Sequence, residues 1–332
     1  MRRTLSWVGE RGVVKARALP VLLLIVLGGY AGHQVPPASD GQEPGSFQIS
    51  VDVSLVVLHA TVSDGRGGFV SSLREQDFAV YEDGVPQRIR LFRHEDIPVT
   101  VGLVVDHSGS MRQKLAEVAA AARTFAQSSN PEDQMFVVNF NENVTLGLPD
   151  AIQFTDSSAE LERAIGRALA TGKTALYDAI AKALEELQAG SRDKKVLIVV
   201  SDGDDTASAH TRAQAMKMAE QSSAIIYTVG LFDHGDPDAN PGVLHRLAKA
   251  TGGEAFFPEQ LSAVVAICER IARDIRNQYT IGYVPTNATR DGAYRAIRVL
   301  ARATDHGKLV VRTRTGYVAG GKQPPGKDDG AK

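Results

Sequence analysis

The sequence of 332 residues contains one cysteine, Cys268. A single cysteine cannot form an intrachain disulfide or a metal site made of several cysteines, so the fold must be stabilised by packing. The chain also lacks an excess of basic residues. It contains 37 lysines and arginines and 39 aspartates and glutamates, which gives a formal net charge of -2. Binding to nucleic-acid phosphates or anionic lipid needs a positive field. Nucleic acid is therefore not an expected partner.

No stretch near the amino terminus reaches the ~20 apolar residues that a membrane-spanning helix needs. The apolar run from Ala18 to Ala31 follows five basic residues and precedes polar, proline-containing sequence. This arrangement predicts a signal peptide at 1–32, with an uncleaved N-terminal anchor as the alternative. An exported protein is expected, located in the periplasm, on the cell surface or secreted. Residues 33–46 have linker composition, and the tail at 319–332 is predicted to be disordered.

The middle of the chain, 98–276, alternates buried strands with helices. Near-continuous apolar runs, typical of strands buried on both faces, end at Val105, Phe140, Val200 and Leu231. Helical periodicity lies between or after them, over Leu115–Phe125, Leu161–Leu169, Ala175–Leu187, Thr211–Ala219 and Gln260–Arg276. The pattern predicts an α/β fold, a Rossmann-like, doubly wound and mostly parallel sheet. Cys268 lies on the apolar stripe of the last helix and is expected to be a buried core residue.

The two flanks, 47–95 and 277–318, are β-rich. Alternating apolar residues are interrupted by the turn signals Asp64-Gly65 and Asp83-Gly84 in the first flank and by Asp291-Gly292 and His306-Gly307 in the second. Each flank is too short to close a good core alone. We therefore expect the α/β domain to be inserted between two β-rich segments that pair into one β-sandwich.

A possible binding site follows the first buried run, where the sequence reads Asp106-His-Ser108-Gly-Ser110. The loops at the carboxyl ends of parallel strands are where α/β folds bind ligands. Thr174 precedes a predicted helix, and Asp202 follows the apolar run that ends at Val200. The set Asp-x-Ser-x-Ser with a distant Thr and Asp resembles the metal-ion-dependent adhesion site of von Willebrand factor A domains. The resemblance covers about half of the chain and extends to exported bacterial proteins that carry this domain.

The resemblance implies a divalent cation bound by Asp106, Ser108, Ser110, Thr174 and Asp202. Oxygen ligands suit Mg²⁺, with Mn²⁺ or Ca²⁺ as alternatives. In the family, an Asp or Glu carboxylate from a partner protein completes the coordination. The implied function is therefore non-enzymatic: metal-dependent protein binding or adhesion. Two rival hypotheses are a metal-dependent hydrolase and a structural domain that an ion merely stabilises.

Other interpretations of the same loops are weaker. Gly172-Lys173-Thr174 matches the end of a phosphate-binding P-loop, but Arg167 replaces the first glycine and no strand precedes it. Asp202, Asp204 and Asp205 resemble the start of a calcium-binding loop, but the glycine and the final glutamate of such a loop are missing. His107 is the only candidate base for hydrolysis, and we expect this variable position to point outward. The acidic loop with Asp233, His234, Asp236 and Asp238 is expected to be a surface loop that could contact a partner.

Overall fold

The computed structural model describes residues 55–233 and 240–320. The predicted signal peptide, the linker, the start of the first β-rich segment and all but two residues of the predicted tail lie outside these ranges, as do His234, Asp236 and Asp238. Within the described ranges, no helix is long and apolar enough to cross a membrane.

A six-stranded sheet forms the centre of the molecule, in the order β10-β9-β8-β5-β6-β7. All neighbouring strands are parallel except the edge strand β7, which is antiparallel to β6. Every residue of β5 and β8 is buried, as expected when both faces of a sheet are covered. The predicted mostly parallel α/β fold is thereby confirmed. The strands are β5 Val99–Asp106, β6 Gln134–Phe140, β7 Val144–Leu146, β8 Lys194–Ser201, β9 Ile225–Gly230 and β10 Ala255–Phe256.

In the part of the chain that the structure describes, six α-helices flank this sheet in two groups. The first helix packs against the second and the sixth, whereas the fourth contacts both the third and the fifth. Each helix buries an apolar stripe, and Cys268 lies buried on the stripe of the sixth, as predicted. The helices are α1 Leu115–Gln127, α2 Ser158–Gly166, α3 Leu176–Ala189, α4 Arg212–Gln221, α5 Pro241–Thr251 and α6 Val264–Arg276.

One predicted helix ends earlier than expected, and one helix was missed. The sequence pattern extended α2 to Leu169, but the helix ends at Gly166 and Leu169 is 81% exposed. The pattern also missed α5, although Asn240 caps it and Pro241 occupies its first turn. Asn before Pro is a recognised start signal. The run of Gly, Pro and Asp before Asn240 favoured a loop and obscured that signal.

The two β-rich flanks form two antiparallel sheets of four strands each, in the orders β13-β1-β11-β4 and β14-β12-β2-β3. Each sheet combines strands from both flanks, and their buried side chains share a single core. Phe78 of one sheet packs on Phe92 of the other with ring centroids 5.4 Å apart. The predicted pairing of the flanks into one sandwich is therefore confirmed. The strands are β1 Val56–Ser63, β2 Phe78–Glu82, β3 Val85–Gln87, β4 Ile89–Arg93, β11 Tyr279–Tyr283, β12 Tyr294–Ala301, β13 Val310–Arg312 and β14 Gly316–Val318.

The predicted turn at Asp83-Gly84 joins β2 to β3 as a two-residue hairpin loop. Both residues have positive φ, 49° and 82°. Two positive φ angles are typical of a type I′ turn, which matches the right-handed twist of the flanking strands. The Asp83 carboxylate also accepts a hydrogen bond from the Ala296 backbone N–H on β12. The hairpin is thus fixed to its neighbouring strand.

A buried polar network joins the sandwich to the central sheet. Asp274 on α6 is 1% exposed and accepts hydrogen bonds from Thr61 on β1 (2.6 Å) and Tyr227 on β9 (3.0 Å). Its other partner is the guanidinium of Arg312 on β13, which also donates to the Gly252 carbonyl at the end of α5. One carboxylate therefore connects four elements from both parts of the fold.

Replacing Asp274 by Ala should destabilise the protein by about 3–5 kcal/mol, because the Arg312 charge would lose its buried partner. Urea denaturation would measure this loss. Glu254 provides the control, since its carboxylate also approaches Arg312 (3.4 Å) but is partly exposed. Glu254→Gln should cost about 1 kcal/mol or less. Equal losses in the two variants would contradict this account of the junction.

Lys194, the first residue of β8, lies beside this network. Burial lowers the pKa of its ammonium from 10.5 to about 7, against the opposing effect of Asp274 and other nearby carboxylates. Its Nζ donates to the Ile275 carbonyl. Lys194 therefore loses its proton near pH 7 in the folded protein, whereas in the unfolded chain it keeps that proton up to about pH 10.5.

Because the unfolded state binds more protons between pH 7 and 10, stability should rise with pH across that window. The contribution of one such group is at most about 1.4 kcal/mol per pH unit. Urea denaturation of wild type and Lys194→Met at pH 7, 8 and 9 should show that the stability of wild type rises relative to that of the variant. Parallel pH profiles would refute the prediction.

Candidate metal centre at the carboxyl edge of the central sheet

The parallel pairing of β5 with β8 positions the two predicted aspartate ligands. Val105 pairs with Val200 in the ladder, so both strands end at the same level. Asp106 is the last residue of β5, and Asp202 follows Ser201, the last residue of β8. Adjacent strands are about 4.8 Å apart, so the two aspartates lie next to each other at the carboxyl edge of the sheet.

The Asp106 carboxylate is fully buried and held on both oxygens. Oδ1 accepts a hydrogen bond from the Ser108 backbone N–H at 2.7 Å, and Oδ2 accepts one from the Ser201 hydroxyl at 2.7 Å. The Ser201 hydroxyl in turn accepts from the Gly203 backbone N–H. The loops after β5 and β8 are therefore tied together through this one side chain.

The two serines of the motif link Asp106 to Asp202. Ser108 Oγ lies 3.1 Å from Ser110 Oγ, and Ser110 Oγ donates to Asp202 Oδ2 at 2.6 Å. Ser108 and Asp202 are each 3% exposed. Four of the five predicted ligands thus form one hydrogen-bonded cluster of oxygen atoms.

Thr174 is brought to the same edge by its backbone. Its carbonyl accepts hydrogen bonds from Thr206 and Ala207, which lie in the loop that begins at Asp202. Its N–H donates to the Thr206 hydroxyl at 3.1 Å. Thr174 is 5% exposed and lies two residues before the start of α3, whose amino end carries partial positive charge.

The loop before Thr174 is also joined to the serine loop. The Thr171 N–H donates to the His107 carbonyl at 2.9 Å, and the Gly109 N–H donates to the Gly172 carbonyl at 3.3 Å. Three loops, which follow β5, β8 and α2, therefore converge on the candidate site.

The electrostatics of the cluster suit a cation. Burial raises the pKa of Asp106 from 3.8 to about 6, the hydrogen bonds from Ser201 and Ser108 oppose this shift, and the negative charge of Asp202 adds to it. Two desolvated carboxylates that repel each other are stabilised by a positive ion between them. The donor atoms are all oxygen, as hard divalent cations prefer.

Among residues 55–233 and 240–320, no group of three or more His, Cys, Asp or Glu side chains is arranged to hold a metal ion. The predicted set is of a different kind, because it contains two carboxylates and three hydroxyls. Its assignment as a metal site therefore stays a prediction, supported by the clustering of oxygen donors.

The expectation that His107 points outward was wrong. The residue is 1% exposed, and its Nε2 lies 3.0 Å from Asn139 Oδ1 on β6. Asn139 also donates from Nδ2 to the Ala164 carbonyl on α2. Burial lowers the pKa of His107, which favours the neutral ring. The histidine connects β5, β6 and α2, so it is not positioned as a base for a metal-bound water.

Of the three aspartates that resembled a calcium loop, Asp205 instead fixes the loop to α3. Asp205 accepts backbone hydrogen bonds from Tyr177 in the first turn of α3 and from Ser208. Asp178 accepts from the backbone of Ala209 and from both the backbone and the ring Nδ1 of His210. Sequence reasoning missed Asp178 and His210. The available signal was an acid in the first turn of a helix, where carboxylates favour the positive helix end.

Lys114 was also missed. Its side chain is buried, and its Nζ donates to the Leu231 carbonyl at 2.8 Å and pairs with Asp233 at 3.1 Å. It thereby connects the segment before α1 to the end of β9. Of the acidic loop that was expected to lie at the surface, the structure describes Asp233, whose carboxylate pairs with this lysine.

Residues 101–204 match the family model of the von Willebrand factor type A domain. The chain is 24% identical over 184 residues to an uncharacterized protein of Synechocystis sp., covering 54% of this chain and 42% of that protein. It is 29% identical over 171 residues to inter-alpha-trypsin inhibitor heavy chain H2 of Mus musculus, covering 48% of this chain and 18% of that protein. The aligned region thus spans less than half the length of either relative.

Two solved structures are similar in fold. One is a von Willebrand factor type A protein from Catenulispora acidiphila, at 15% identity and a TM-score of 0.48 over 73% of each chain. The other is proximal thread matrix protein 1 of the mussel byssus, solved with a zinc-occupied MIDAS motif. It is 14% identical with a TM-score of 0.46, over 55% of this chain and 49% of that chain.

Replacing Asp106 by Asn should stabilise the metal-free protein, because it removes a buried charge that Asp202 repels. In EDTA at pH 7.5 we expect a gain of about 1–3 kcal/mol in the free energy of unfolding, since one pKa unit corresponds to about 1.4 kcal/mol. Added MgCl₂ should stabilise wild type and leave the variant unchanged. Urea denaturation in each buffer tests this, and a variant that is less stable than wild type in EDTA would contradict it.

Proposed function

We propose that this chain binds a partner protein in a metal-dependent manner. Residues 101–204 match the family model of the von Willebrand factor type A domain, which supports this proposal. Asp106, Ser108, Ser110, Thr174 and Asp202 would hold the divalent cation. The partner would contribute an Asp or Glu carboxylate. The observation that carries the proposal is the hydrogen-bonded cluster of Asp106, Ser108, Ser110 and Asp202 at the end of β5 and β8.

The charges of the ligand set explain why a partner's acid would be attracted. Asp106 and Asp202 supply the carboxylates, whereas Ser108, Ser110 and Thr174 supply neutral hydroxyls. Mg²⁺ keeps several waters when a protein offers few carboxylates, and an incoming carboxylate can replace one of them. We propose Mg²⁺ as the ion, with Mn²⁺ or Ca²⁺ as alternatives that accept the same oxygen donors.

The proposed site of action is outside the cytoplasm. The basic residues before the apolar run Ala18–Ala31 support export. The periplasm, the cell surface and secretion are all compatible with that signal. An adhesive or protein-binding module would serve there as a contact between the cell envelope and another protein.

The hydrolase alternative is disfavoured by the position of His107. A general base must reach the water that it activates, but this ring is buried and its Nε2 contacts Asn139. The structural alternative, in which an ion only stabilises the fold, makes a separate prediction. It would be supported if a folded Asp106→Asn protein bound every partner as well as wild type does.

The proposal predicts metal-dependent interactors in a pull-down from the envelope fraction of the source organism. Wild type in MgCl₂ should retain them, whereas EDTA or Asp202→Ala should reduce recovery at least tenfold, a loss of about 1.4 kcal/mol or more. Asp193→Ala is the matched control, because Asp193 is an exposed aspartate that precedes β8 at the opposite edge of the sheet.

Circular dichroism of each variant would confirm that its fold is intact. The control should retain the same proteins as wild type does. Interactors that persist in EDTA and on folded Asp202→Ala would count against metal-dependent binding.

A further inference from the structure

Leu169 is the most exposed of the large hydrophobic side chains in the described part of the chain, at 81%. A single exposed leucine is common on protein surfaces and needs no explanation by itself. Its position is what matters, since it lies in the short segment between the end of α2 and Thr174.

This segment is braced against the serine loop. The Thr171 N–H donates to the His107 carbonyl, and the Gly172 carbonyl accepts from the Gly109 N–H. In addition, the Arg112 Nε donates to the Ala170 carbonyl at 3.2 Å. Leu169 is therefore the residue before Ala170, whose carbonyl is bonded to Arg112 just after the loop that carries Ser108 and Ser110. The leucine belongs to the rim of the candidate metal centre.

The hairpin between β6 and β7 braces the same segment from its other side. Glu142 at the tip of the hairpin accepts a hydrogen bond from the Lys173 N–H at 2.9 Å. Gly172 has a φ of +81°, and a Cβ at this position would lie 1.7 Å from Glu142 Oε2. The positive φ favours glycine here, and a Cβ would displace the Glu142 carboxylate from its present position. A loop held in this way loses little conformational entropy when a partner docks on it.

The charge around Leu169 is mostly positive. Arg167 and Lys173 are exposed residues of the segment itself, and the exposed Arg112 donates a hydrogen bond to it, whereas Glu142 is an acid bonded to it. Such a rim attracts an acidic partner segment and disfavours a basic one. The charge and the exposed leucine together describe a surface for an acidic segment that also carries an apolar side chain.

We infer that Leu169 is a specificity residue that packs against an apolar side chain next to the partner's metal-binding carboxylate. The partner is thus a protein segment in which an Asp or Glu has a hydrophobic neighbour within a few residues. This inference rests on the proposed function. It adds that the candidate metal centre binds the partner's acid, whereas the rim selects the residues around that acid.

A random heptapeptide library displayed on phage tests the inference with the full chain immobilised in MgCl₂ and bound phage eluted by EDTA. Wild type should select peptides that share one acid and a hydrophobic residue at a fixed spacing from it. Leu169→Ser should still select the acid but lose the hydrophobic preference. A synthetic peptide from the wild-type selection should bind this variant about fivefold more weakly, since burying part of a leucine contributes about 1 kcal/mol.

Val85→Ser is the matched control, because Val85 is 50% exposed but lies on the hairpin of the sandwich. It should select the same peptides as wild type. An unchanged hydrophobic preference in Leu169→Ser, or acid-containing peptides without such a preference in wild type, would overturn the inference and leave the proposed function standing. If EDTA elutes no acid-containing peptides from wild type, the proposed function itself fails.

Discussion

The parallel pairing of β5 with β8 is the constraint on which the candidate site depends. It places Asp106 and Asp202 at the same edge of the sheet although they are 96 positions apart in the sequence. Because both strands are buried along their whole length, neither can shift in register without exposing apolar side chains. The geometry of the two carboxylates is therefore fixed by packing, and the hydroxyls of Ser110 and Ser201 add the hydrogen bonds that hold them.

The opposite end of the domain is held by a second buried carboxylate, that of Asp274. Its partners Thr61 and Arg312 belong to the sandwich, whereas Tyr227 belongs to the central sheet. An ionised group in such a place is stable only when it is paired and hydrogen-bonded. The sandwich thus supplies the positive charge that α6 requires. This mutual need explains how two chain segments far apart in sequence pack with the α/β domain as one folded body.

The sequence predicted the parts of this structure that depend on periodicity and on strand ends. Buried apolar runs predicted β5, β6, β8 and β9, and the ends of β5 and β8 predicted the residues that cluster. Contacts across the fold were not predictable in this way. His107 turns inward because Asn139 on the next strand offers a partner, and Lys114 is buried because the Leu231 carbonyl and Asp233 accept its ammonium. Such partners become apparent only when the chain is folded.

The end of α2 illustrates the same limit and has a consequence for function. Helical periodicity continues to Leu169, and nothing local after Gly166 forbids another turn. What competes with the helix is tertiary: the carbonyls of Ala170 and Gly172 bond to Arg112 and Gly109, and the Lys173 N–H bonds to Glu142. These bonds draw the segment towards the serine loop and leave the leucine in solvent. A side chain that periodicity assigns to the core is thus placed on the rim, where its apolar surface is available to whatever approaches the two aspartates.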